Sequence, residues 1–186
     1  MPYPIYDFGG SGPLIHLAIA NGFPPHTYRP LVEPLTDHYR VISLLPRALW
    51  TPPPPPEDFH TWRQMAADLR AGLDEQGMDG VIGVGHSMGG VALMLAALAE
   101  PQRFRALVLL DPTLLRPSLL ALIAAARALG QMSRFPLARG ARRRRAHFAG
   151  PDEAFAYWRE KPLFRNWSDE VLRLYVEGML RPSSDG

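Results

Sequence analysis

The sequence predicts an α/β domain with a mainly parallel sheet, followed by a segment that is helical throughout. Three observations carry this. Strand-like and helix-like runs alternate from Tyr3 to Pro112, the pattern of βαβ units. The stretch Gly85-His86-Ser87-Met88-Gly89 sits between a short β-type run and an apolar helical one. After Thr113 no strand-like run follows. The expected organisation is a core over residues 1–112 and a helical lid over residues 113–186.

Tyr3 to Phe8 reads as a short strand closed by Gly9-Gly10-Ser11-Gly12. Pro13 to Ala20 is continuously apolar apart from His16, as in a buried parallel strand, and ends in the loop Asn21-Gly22-Phe23-Pro24-Pro25. His26 to Asp37 carries apolar residues near helical spacing despite Pro30 and Pro34. Tyr39 to Leu45 is the next strand. Pro52 to Pro56 is an extended surface spacer of polyproline type.

From Asp58 the period turns helical, with Trp62, Met65, Ala66, Leu69 and Leu73 on one face. Asp58 is the expected N-cap and Gly77 the stop. Gly80 to Val84 is the strand entering the central turn, and Met88 to Glu100 the helix leaving it. Arg105 to Leu110 reads as a further buried strand ending in Asp111-Pro112. Beyond it, Ser118 to Gln131, Ala138 to Phe148, Asp152 to Trp158 and Ser168 to Leu180 read as helices, with Asp152 and Ser168 as N-caps.

Composition narrows the function classes. The chain has 186 residues, 47% of them hydrophobic and 20% charged, enough for one domain with a real core. It has no cysteine, which excludes disulfides, thiolate metal sites and a cysteine nucleophile. The N-terminus has no basic flank or apolar run of signal type, and the longest apolar run, Val91 to Ala99, is far too short to span a bilayer. A cytoplasmic protein without cofactor or metal is the expectation.

The net charge is only +2, with arginines concentrated at Arg127, Arg134, Arg139 and Arg142 to Arg145. Four consecutive helical residues surround the whole axis, and no aromatic residues interleave with the run for base stacking. A solvated face is therefore favoured over a nucleic-acid or acidic-partner surface.

Gly85-His86-Ser87-Met88-Gly89 fits G-x-S-x-G, a sharp strand-to-helix turn that presents a serine at the sheet edge. Gly85 and Gly89 are needed because a Cβ there would collide with the neighbouring strand and helix as the chain doubles back. Ser87 itself is expected in strained backbone geometry at a helix N-terminus, where amides and the dipole favour an oxyanion.

With these features the chain resembles the α/β-hydrolase superfamily, in the branch with a helical cap after the sixth strand. The resemblance rests on Asn21 to Pro24, Tyr39 to Leu45, the turn at Ser87, and Arg105 to Pro112. Superfamily members usually read His-Gly-Phe-Pro where this chain has Asn21-Gly22-Phe23-Pro24. The resemblance implies an oxyanion hole from the backbone N–H groups of Phe23 and Met88, so Asn21 removes no donor. Relatives that open epoxides or remove halides carry aspartate at the nucleophile position. Serine here implies acyl transfer to water from a small apolar carbonyl substrate: an ester, thioester, lactone or similar compound.

In the superfamily the acid and histidine follow the serine in chain order. Asp111 ends the last core strand and is the candidate acid, with a turn-capping role as the alternative. His147 is the one histidine after Ser87. His86, fixed by the turn, is expected to line the pocket rather than act as base. His16, His26, His38 and His60 are expected to be structural or solvated. Phe148, Phe155, Trp158, Phe164 and Trp167 belong either to the substrate pocket or to the lid's own core. By this resemblance the chain ends before the last two strands and the usual histidine. A truncated hydrolase and a binding module that keeps the fold without the triad both remain open.

Overall fold

A computed structural model describes residues 3–131 and 145–182. Its centre is a five-stranded sheet: β1 (Ile5–Gly9), β2 (Leu14–Ala18), β3 (Arg40–Leu44), β4 (Val81–His86) and β5 (Phe104–Leu110). The spatial order is β1-β3-β2-β4-β5. β1 runs antiparallel to β3, and the other three pairings are parallel. The described residues thus hold five strands where the resemblance counted six.

Period-two alternation divides the core between the two faces of the sheet. Ala18, Leu44 and Val81 face the helices α2 (Trp62–Glu75) and α3 (Met88–Ala99), packing with Leu69, Leu73 and Leu93. Ile15, Leu17, Ile19 and Val41 face the other way, onto Tyr28 and Val32. Gly83 makes the sheet–α3 approach possible, since a Cβ there would lie 2.6 Å from a Leu93 methyl.

α2 begins four residues after Asp58. Thr61 is its N-cap, in a capping box with Gln64, and Asp58 closes a preceding 3-10 turn, Pro56–Asp58. Gly77 ends the helix region at φ 61°. His26 to Asp37 is not one helix. It breaks into a 3-10 turn at Pro25–Tyr28, one α-turn α1 (Arg29–Val32) and a second 3-10 turn at Glu33–Leu35. Pro30 and Pro34, each without an N–H, occupy first-turn positions and restart the helix instead of continuing it.

β5 departs from its expected burial. It is an edge strand, with Leu107 37% and Val108 45% exposed. Helix α4 (Pro117–Ala128) follows it and buries none of its residues. Two further helices, α5 (Pro151–Arg159) and α6 (Asp169–Met179), enclose a small core of their own. Ser168 caps α6 by accepting from the Val171 amide at 3.2 Å, whereas Gly150, not Asp152, is the N-cap of α5. Asp152 falls in the first turn, behind Pro151. Of the expected helix Ala138 to Phe148, residues 145–148 are irregular and the remainder lies outside the described residues, as do Arg134, Arg139 and Arg142 to Arg144.

Candidate active site

β4 ends at His86 and α3 starts at Met88, so Ser87 alone makes the turn between them. Its backbone sits at φ 53° and ψ −119°, outside the regions a side-chain-bearing residue adopts freely. Three hydrogen bonds hold it there. Its N–H donates to Leu110 O at 3.0 Å, and its carbonyl accepts from Val91 and Thr113 amides, both at 3.3 Å. The glycines allow the close turn. A Cβ on Gly85 would lie 2.6 Å from Gly90 Cα, and one on Gly89 would overlap the carbonyl oxygens of Ala18 and Ile19.

Asp111 is the other non-glycine residue with positive φ, at 44°, among the described residues. His86 and Leu110 are register partners on β4 and β5, so the two strained residues emerge side by side at the carboxyl edge of the sheet. That edge is where open α/β sheets keep their sites. The Asp111 carboxylate, however, makes no hydrogen bond or ion pair among the described residues. The side-chain partner of Ser87 Oγ is Thr113 Oγ1, at 3.0 Å. Nothing in the sequence beyond its position two residues past Asp111 distinguished Thr113.

Met88 N–H lies at the first position of α3, among the amides that have no intrahelical acceptor. Phe23 N–H donates to Ala20 O at 3.2 Å, closing the turn at Asn21-Gly22. That bond is long for an amide, and a second acceptor in front of it would have to share the proton. Phe23 packs against both the Ile15–Val41 cluster of the sheet and the helical core, its ring 5.8 Å from Trp167 and 6.0 Å from Tyr175, centroid to centroid. The loop that carries one proposed oxyanion donor is therefore anchored in the core of α5 and α6.

His86 does not line the large cavity beside this loop. Its Nδ1 lies 2.8 Å from Tyr28 Oη, and Tyr28 Oη also accepts from the Ala20 amide at 3.0 Å. Burial pushes the Tyr28 phenol up to about 12, so it stays protonated and has a hydrogen to give to Nδ1. Tyr28 thereby ties the start of the Asn21–Phe23 loop to the Ser87 turn. In the sequence it was visible only as one apolar position in a helical pattern.

The remaining histidines fall as follows. His16 is buried, and burial lowers its pKa to about 4, so the ring is neutral at pH 7. Its Nε2 accepts from the Leu44 amide at 3.2 Å. His26 packs beside Gly178 of α6, and burial lowers its pKa more than the nearby Glu177 carboxylate raises it. His38, His60 and His147 are exposed. No histidine among the described residues is hydrogen-bonded to Ser87 Oγ. Phe148, Phe155, Trp158, Phe164 and Trp167 pack with Leu172, Tyr175 and Val176, in the core of that helical segment.

A strand of a mainly parallel sheet that passes through one strained residue, Ser87, into a helix N-terminus belongs to an α/β fold. The chain belongs to the alpha/beta hydrolase family, whose sequence profile matches residues 14–183. Among solved structures it is similar to E-2-(acetamidomethylene)succinate hydrolase, at 22% identity and TM-score 0.69, over 98% of this chain and 62% of that one. It is also similar to the thioesterase domain from the curacin biosynthetic pathway, at 17% identity and TM-score 0.68, over 98% and 65%. A marine microorganism esterase matches at 19% identity and TM-score 0.62, over 100% and 66%. The chain thus spans slightly less than two thirds of the length of these relatives, and the likeness is one of fold.

Proposed function

We propose that this chain carries the nucleophile of a serine hydrolase acting on an uncharged ester, thioester or lactone in the cytoplasm. The observation that carries the reading is the strained, triply tethered Ser87 at the N-terminus of α3. Ser87 Oγ attacks the carbonyl carbon, and the carbonyl oxygen becomes the oxyanion. Met88 N–H, free of an intrahelical acceptor, receives it together with Phe23 N–H, which shares its proton with Ala20 O. Each such donor is worth roughly a hundredfold or more in turnover. The C–O or C–S bond to the leaving group then breaks as that group receives the proton the general base took from the Ser87 hydroxyl, leaving an acyl-enzyme that water hydrolyses.

Thr113 holds the Ser87 hydroxyl before attack, and Asp111 stands beside it as the candidate acid. Residues 113–186 act as a cap over the carboxyl edge, fastened by Phe23. The general base is His147 or a histidine outside residues 1–186. That the hydroxyl partner of Ser87 is a threonine favours a second reading, a binding module that retains the fold without turnover.

Intact-mass measurement after treatment with a fluorophosphonate separates the two. A stoichiometric adduct on Ser87, absent from Ser87→Ala, is expected of the hydrolase. Loss of the adduct in His147→Ala identifies His147 as the base, and its persistence directs the search outside the chain. Residues 1–186 left unlabelled overturn the reading that they form a hydrolase by themselves, and function then lies in a longer parent chain or in binding.

A further inference from the structure

Helix α6 docks through its last turn onto the Pro25–Tyr28 turn, just after the loop that carries Phe23. Gly178 makes the approach possible. A Cβ there would lie 2.5 Å from Pro24 Cγ and 2.8 Å from His26 Nδ1, so one edge of the imidazole rests against the helix backbone. Tyr6 of β1 packs on the same ring, with 4.8 Å between centroids.

His26 Nδ1 is buried and has no hydrogen-bond partner among the described residues. A neutral imidazole tolerates this, because its one proton can sit on Nε2. An imidazolium does not. Both nitrogens then carry protons, and the one on Nδ1 meets Gly178 without an acceptor. The surrounding charges do not repair the loss. Burial lowers the His26 pKa more than the Glu177 carboxylate of α6 raises it, and the Arg29 guanidinium of α1 lowers it further. Glu177 is exposed, so water screens its attraction, and Arg29 is held beside the ring by donating to Tyr6 Oη at 3.2 Å.

We propose that His26 is an acid-sensitive latch: α6 is fastened to Pro24 and His26 while the ring is neutral, and is released when the ring is protonated. The docked ring resists protonation, so the docking is fully present above the ordinary value of 6.5 and weakens as pH falls below it. Release draws the Trp167 and Tyr175 rings away from Phe23 and leaves the sheet intact. The latch needs no catalytic role for Ser87.

Hydrogen exchange of residues 169–179, read by mass spectrometry and corrected for the intrinsic pH dependence of amide exchange, tests this. Between pH 7.5 and 5.5 their protection is expected to fall about three- to tenfold. Tenfold is roughly the limit for one imidazole of ordinary pKa read one pH unit below it. His26→Leu removes no hydrogen bond among the described residues and is expected to reduce the fall to less than about twofold. Glu177→Gln, on the exposed face, removes the one charge that favours the protonated ring and is expected to enlarge the fall.

An equal fall in His26→Leu overturns the latch and assigns the effect to other groups, buried His16 among them. Protection that rises on acidification overturns it too, since a His26–Glu177 ion pair would then be what holds α6. Should His26→Leu fail to fold, Glu177→Gln decides: a fall no larger than in the unaltered protein overturns the proposal.

Discussion

The two flanks of β4 are built from similar residues and end in opposite environments. On the β2–β3 flank, Leu17, Val41, Ile42 and Leu44 are buried, covered by α2 and α3 on one face and the Tyr28–Val32 turns on the other. On the β5 flank, Leu107 and Val108 are exposed, and α4 presents Leu119, Leu120 and Leu122 without burying any of them. Hydrophobic composition alone therefore does not establish burial. An apolar strand is buried only when something packs on it, and a strand at the sheet edge has one partner fewer. The Ser87 turn sits on the boundary, with its tethers divided between α3 and the end of β5.

The sharpest way to break this comparison is to cut the covered flank. Leu93 is fully buried against Gly83 and the α2 side chains. Leu93→Ala is expected to cost about 2–5 kcal/mol, read as a lowered midpoint in urea unfolding. A cost under about 1 kcal/mol would mean that α3 repacks freely and that the contrast between the flanks is one of exposure only.

The next largest effect is a pH dependence confined to the same flank. His16 has its pKa lowered to about 4 by burial, against an ordinary 6.5. Between those values the unfolded chain binds more protons than the folded one, so stability rises with pH across the window. The contribution is fully present above pH 6.5 and is lost as pH falls toward 4. The loss amounts to about 3 kcal/mol from a shift of that size. His26, lowered in the same direction, adds to it. Replacing His16 by Met should flatten the slope of unfolding free energy between pH 6.5 and 4, whereas an unchanged slope would assign it to other groups.

Tyr28→Phe tests the link between the covered flank and the site. It keeps the ring in the core and removes only the hydroxyl, leaving the Ala20 amide and His86 Nδ1 without their partner. The expected cost is about 1–3 kcal/mol, with slower fluorophosphonate labelling of Ser87 because the Asn21–Phe23 loop is no longer tied to the turn. A stability loss with unchanged labelling would make Tyr28 a core residue and nothing more.

What was legible in the sequence follows the same division. Each strand of the core and the Ser87 turn could be read because local pattern and final environment agree there: period-two or continuous apolar runs do end up in the sheet, and the glycines do sit at close approaches. β5 forms where its apolar run predicts but is not buried, since periodicity cannot report whether a neighbour exists. The start of α2 was misplaced because Asp58 and Thr61 both cap well, and only the Gln64 contact that completes the box selects Thr61. Thr113, Tyr28 and the cavity wall made by Pro53 to Pro56 were illegible for another reason. Their roles depend on contacts across 26 and 58 residues of sequence, or on a cavity between elements, and no local signal encodes those.

The smallest predicted effect completes the comparison from the exposed side. Leu122 is 57% exposed on α4 and belongs to none of the three buried clusters. Leu122→Ala removes the same atoms as Leu93→Ala and is expected to change unfolding free energy by no more than about 0.5 kcal/mol. A large leucine truncated without penalty, beside one whose truncation costs several kcal/mol, would place the stability of this chain in the α2–α3 flank. If Leu122→Ala instead costs as much as Leu93→Ala, α4 is packed against something in solution, and the β5 flank is a covered surface after all.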